Sequence, residues 1–93
     1  MWIAASRGIR GGGRPINLDC VSMIVDAKVD EDHWGLFVHF PAKDIEPALL
    51  EMFLYNKETH DYARRQAEVD FRINRIMTAI TNGTTFLDLD TVE

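Results

Sequence analysis

Apolar and polar residues alternate along much of the first half of the chain, and then the period changes. Trp2 to Ser6 reads as a short strand, and Ile16-Asn17-Leu18 alternates again. Leu18, Val21 and Ile24 are then three apart, which predicts a bend, a single helical turn or a bulge at Asp19-Cys20. From Met23 the alternation returns. Met23, Val25, Ala27 and Val29 lie on one side, Asp26, Lys28 and Asp30 on the other, and Ile24 is the exception. That is the pattern of a strand with one wet face. After the polar turn Asp30-Glu31-Asp32-His33, Trp34, Leu36, Val38 and Phe40 share one face, and Gly35, Phe37 and His39 share the other. Aromatic and β-branched residues favour a pleated surface, so Met23–Val29 and Trp34–Phe40 are expected to pair as an antiparallel hairpin. Ala48 to Tyr55 admits two readings. Leu50, Met52 and Leu54 alternate with Glu51, Phe53 and Tyr55 as in a strand, while Leu, Glu and Met also suit a short helix. The run is short and ends in Phe-Leu-Tyr-Asn, which favours the strand.

Lys57 to Asn82 carries the helical period. Val69, Ile73, Ile76 and Ile80 step by four, three and four, which places them on one face, with Tyr62 and Met77 widening the stripe. Asn56 or Thr59 can cap the start by accepting a backbone N–H bond. Gly83 supplies the stop, because glycine takes the left-handed conformation that ends many helices. At 1.5 Å per residue such a helix is roughly 36 Å long, long for a domain whose radius of gyration should be about 12–13 Å by the usual scaling. Thr84 to Leu89 alternates as a final short strand. Residues 1–93 therefore read as one α+β domain, a small antiparallel sheet of four to five strands packed on one long helix in two layers.

Some aromatics do not fit that core. Phe71 lies far around the helix from both Val69 and Ile73, and Phe37, Phe53 and Tyr55 fall on strand faces opposite the expected core. Together with the long helix they predict a homo-oligomer, with a dimer as the first choice, held by the helix, the second sheet face or both.

Composition narrows the class. Hydrophobic residues are 46% and charged residues 27%, as in an ordinary globular chain, which excludes a disordered or low-complexity segment. Cys20 is the single cysteine, so no internal disulfide can form and a cytoplasmic home is expected. No apolar run approaches the roughly 20 residues of a membrane span, no membrane partner is expected, and Met1 to Arg14 lacks a secretory h-region. The net charge of −5 is unevenly spread: residues 1–14 hold Arg7, Arg10 and Arg14 and no acid, leaving the body strongly acidic. Such a body repels nucleic acid at long range, which argues against general nucleic-acid binding.

The segments that could carry chemistry are few. Arg7, Arg10, Gly11, Gly12, Gly13 and Arg14 could offer backbone N–H and guanidinium groups to an anion, a nucleotide or a nucleic-acid phosphate. The spacing fits neither a dinucleotide fingerprint nor a P-loop, and a connector is the plainer reading. His33, His39 and His60 are not spaced as a helical metal pair, so neither a metal nor a cofactor is expected. Cys20 has no activating neighbour in sequence, and Arg64, Arg65, Arg72 and Arg75 alternate with acids as on a solvated, ion-paired face.

The stretch Ile16-Asn17-Leu18-Asp19-Cys20-Val21-Ser22-Met23-Ile24 resembles small uncharacterised bacterial proteins with an Ile-Asn-Leu-Asp-x-Val-x-x-Ile strand motif. In those proteins the segment leads into an antiparallel hairpin, and a helix rich in alanine and isoleucine follows. Ala63, Ala67, Ile73, Ile76, Ala79 and Ile80 agree with the second part; the triple glycine and Pro41 to Pro47 depart from it. The resemblance implies no activity and assigns no functional residue. The expectation is a non-enzymatic protein that works by self-association or as a protein-interaction module, with anion binding at 7–14 as the alternative and a catalytic role for Cys20, His39 or His60 last.

Overall fold

A computed structural model describes residues 1–7 and 14–90. Six strands and one α-helix follow in the order β1 (Trp2–Ala4), β2 (Pro15–Asn17), β3 (Met23–Asp30), β4 (His33–His39), β5 (Ala48–Leu54), α1 (Tyr62–Thr81) and β6 (Phe86–Asp88). The three-residue spacing after Asn17 is a 3-10 turn over Leu18–Cys20, whose first residues are held by the Asn17 side chain accepting from the Asp19 N–H. The class is α+β, and residues 48–54 are a strand.

The strands form two sheets of three rather than one antiparallel sheet of four to five. β3, β4 and β5 make an antiparallel meander, in which the expected hairpin is present. β1 instead pairs antiparallel with β2 and parallel with β6, with Trp2 opposite Phe86 and Ile3 opposite Leu87. Hydrophobic periodicity specifies a strand but not its neighbour, and the partners β1 and β6 lie at opposite ends of the chain. The sheets touch where the Ser6 N–H donates to the Leu50 carbonyl at 2.8 Å.

The helix is one continuous rod of 20 residues, about 30 Å long. It begins five residues later than the period suggested. Asn56 and Thr59 do not cap it, because Asn56 organises its own turn: its carbonyl accepts from the Thr59 and His60 N–H groups, and its Oδ1 from the Glu58 N–H. The cap is Asp61, which accepts from the Arg64 N–H at 2.8 Å. At the other end Gly83 has φ 73°, and the Thr84 N–H returns to the Ala79 carbonyl.

Ile3, Leu36, Val38, Leu50, Phe53, Tyr55, Val69, Ile76 and Leu89 form the core, so α1 packs over the meander and reaches the small sheet. Arg75 joins helix to β6 by donating to the Leu89 and Asp88 carbonyls at 3.0 and 3.2 Å.

Phe53 and Tyr55 are buried in this core rather than opposite it. A bulge is the cause. Leu36 pairs with Glu51 but Phe37 pairs with Leu49, leaving Leu50 as an extra residue. One extra residue reverses every later side chain in the strand. Leu50 and Glu51 are therefore both buried, and Glu51, Phe53 and Tyr55 face the helix while Met52 and Leu54 point away. β3 departs from the expectation as well. Ile24 pairs with Val38 and Asp26 with Leu36, so Ile24 is the β3 residue that reaches the core. Met23, Val25, Ala27 and Val29 occupy the opposite face.

Candidate functional site

Cross-strand partners share a face, so the register defines the surface of the meander that α1 does not cover. β3 contributes Met23, Val25, Ala27 and Val29; β4 contributes His33, Gly35, Phe37 and His39; β5 contributes Leu49, Met52 and Leu54. Apart from Asp30, which pairs with His33 at the strand end, these positions hold no Asp, Glu, Lys or Arg. Met23 and Leu54 are each 55% exposed, and Val25, Phe37, Leu49 and Met52 are half-buried against one another. The side chains of Leu49 and Val29 meet over Gly35, where an added Cβ would lie 2.8 Å from each and 2.9 Å from the Glu51 carbonyl oxygen. At one end a shallow groove of about 460 Å³ runs between Val25, Phe37 and His39 and the loop residues Glu46 and Pro47.

Asp26, Lys28 and Glu51 lie on the opposite face instead. Asp26 accepts from the Trp34 indole N–H at 2.9 Å. Glu51 is buried, and the Arg72 Nε lies 3.6 Å from its Oε1, too long for a hydrogen bond. Burial pushes the Glu51 carboxyl above its ordinary pKa, while Arg72 and Arg75 pull it partly back. Arg72 also bonds Glu68 and sits 4.6 Å over the Phe53 ring.

A second concave feature lies where the Asp30–His33 and Asn56–His60 turns meet the first turns of α1. It is a cleft of about 370 Å³ lined by Trp34, Tyr55 and Arg65, with Lys28, Asp30, Glu31, Lys57 and Glu58 at its rim. The Tyr55 N–H donates to the Asp32 carbonyl, and the Asn56 side-chain amide to Asp32 Oδ1, tying the two turns together. Tyr55 meets Trp34 edge-on and stacks on His60, each with ring centroids 5.9 Å apart. The Arg65 guanidinium carbon lies 4.2 Å from the Trp34 ring and 4.6 Å from the Tyr62 ring. Its Nε is buried without a hydrogen-bond acceptor. A buried donor left unpaired costs about 1–3 kcal/mol, which cation–π contact offsets in part.

The remaining candidates scatter. Arg7 is engaged with Asp88 at 3.3 Å and Asp90 at 3.9 Å, and its backbone N–H donates to Asp90 Oδ2. That bond and the Ser6 hydroxyl hold the Asp90 carboxyl below its usual pKa. Arg14 is exposed, while Arg10, Gly11, Gly12 and Gly13 lie outside the described residues. Phe71 is 68% exposed, on the helix surface away from the core. Cys20 is exposed. His33 bonds Asp30, lowering the Asp30 pKa, and His60 Nδ1 accepts from the Asn56 N–H, so the three histidines belong to three different settings. Among the described residues no group of three metal-ligating side chains occurs, and no helix is long and apolar enough to cross a membrane.

The cleft was not legible from sequence, since its residues are contributed by two turns and a helix start far apart in the chain. The Met23–Val29 alternation marks the uncovered face in the sequence, although the apolar side of that strand is the one α1 leaves open. Comparison with protein-family models, with curated proteins and with solved structures returns no match to this chain.

Proposed function

We propose that this is a non-enzymatic protein that acts by self-association, two copies packing the uncovered β3-β4-β5 faces against each other. The observation that carries the reading is the scarcity of formal charge on an apolar face of a chain with net charge −5, where Asp30 lies at one edge and Glu46 beside the groove at the other. Two acidic copies repel one another over most approaches, and this face offers contact that brings few like charges together. Sheets packed face to face sit about 10 Å apart with interdigitated side chains, and a two-fold axis makes one patch serve both copies.

Size sets the strength. Strands of seven to eight residues, three abreast, cover about 14 by 23 Å. With side-chain relief this is of order 500 Å² per copy, at the lower limit for a specific interface. A patch of this size suits a reversible dimer rather than an obligate one. The alternative seat of function, the Arg/Gly-rich segment at 7–14, has less support, because Arg7 already has two carboxylate neighbours.

Sedimentation velocity from low to several hundred micromolar tests the reading. The expected result is a concentration-dependent dimer, returned to monomer by Phe37→Lys or Met52→Lys with the circular dichroism spectrum unchanged. A monomer at every concentration, or folded lysine variants that still dimerise, would overturn it, as would binding to a different protein in place of self-association.

A further inference from the structure

We infer that the Trp34–Tyr55–Arg65 cleft binds a small organic carboxylate with a flat apolar body. Three observations converge on that chemistry. First, the Arg65 guanidinium has aromatic rings within cation–π distance and a buried Nε–H that lacks an acceptor. Among the described residues no carboxylate lies within ion-pair distance of it. A planar fork with donors to spare matches a carboxylate edge to edge.

Second, the rim charges are unequally available. Lys28 pairs with Glu31 at 3.4 Å, and Asp30 bonds His33 at 2.8 Å. Lys57, Arg65 and Glu58 are then the charged groups without a bonded partner in the cleft, two cationic donors to one carboxylate. Arg65 also lies in the first turn of α1, where the helix dipole adds positive potential. Third, Trp34 and Tyr55 give the cleft an apolar wall, fixed by the Trp34–Asp26 hydrogen bond and the Tyr55–His60 stack. A bare inorganic ion would leave that wall unused; an aromatic or alicyclic acid fills it.

The cleft lies on the helix side of the meander, away from the face assigned to self-association, so the two readings stand or fall separately. Nitrogen-15 NMR of the intact chain tests this one, with benzoate as the probe and benzylammonium, benzyl alcohol and inorganic phosphate as contrasts. The expected result is a saturable shift of the Trp34 Nε1–H and Arg65 Nε–H signals with benzoate. Arg65→Gln should weaken that binding about tenfold or more, as loss of a charge-assisted bidentate contact does. Arg65→Lys, which keeps the charge and loses the fork, should fall between, and it serves if the glutamine variant does not fold. Absence of a saturable benzoate shift, equal response to benzylammonium or benzyl alcohol, equal affinity for phosphate, or undiminished binding in both folded Arg65 variants would each overturn the assignment.

Discussion

The two faces of the β3-β4-β5 sheet carry opposite chemistry to the places they occupy. The helix-side face holds Asp26, Lys28 and Glu51 beside Leu36, Val38 and Phe53, and the open face holds one formal charge, Asp30, at its edge. A small domain normally puts its wet residues outside. Here Asp26 and Glu51 are retained by specific partners: the Trp34 indole for Asp26, Arg72 for Glu51. The apolar groups on the far side lean on each other across Gly35. The comparison teaches that burial by the helix and apolar character are separate properties of a strand face, and that their mismatch marks surface reserved for something other than folding.

Neighbouring residues provide the sharpest way to break the comparison. Leu36 is fully buried under α1, and Phe37 points to the open face. Leu36→Ala should cost about 2–5 kcal/mol of folding stability in urea denaturation at any protein concentration. Phe37→Ala should cost well under that in dilute solution, and its penalty should grow with concentration as dimer is lost. Equal, concentration-independent penalties would remove the distinction between the faces. Gly35→Ala comes next. The new Cβ meets two side chains and a backbone carbonyl, and displacing that carbonyl should cost about 1–3 kcal/mol. An unchanged urea midpoint would show that the Leu49–Val29 contact over Gly35 is looser than its geometry.

The smallest effect is the pH dependence of Glu51. Burial raises its pKa above the ordinary 4.5, so the folded state holds the proton more tightly than the unfolded chain. Stability from this group is fully present below the unfolded value and is lost as pH rises through the folded one. Glu51→Gln removes that dependence. The stability of the variant relative to the natural chain should therefore improve steadily from acid to neutral pH. Parallel pH profiles would show that Arg72 already cancels the burial.

Much of the architecture is legible in the residues themselves. Val69, Ile73 and Ile76 announce the helix and Gly83 its end, and the Trp34–Phe40 alternation finds its hairpin partner because the connection is short. What escapes is set by single residues or by distance. The Leu50 bulge exchanges the roles of Phe53 and Met52, and alternation cannot reveal an extra residue whose neighbours are apolar on both sides. The helix start moves from Lys57 to Tyr62 because Asn56 can close a turn of its own as readily as it can cap. The Arg65 cleft depends on three segments meeting, and in the sequence alone Arg65 alternates with acids as on a solvated, ion-paired face.

The parallel β1–β6 pair has a kinetic meaning. Its strands are joined through more than eighty residues, whereas β3, β4 and β5 are linked by short connections. Bringing distant segments together forfeits chain freedom before any contact repays it. The meander can therefore assemble early, and the small sheet closes late like a clasp over a finished body, secured when Arg75 reaches the Asp88 and Leu89 carbonyls at the end of β6.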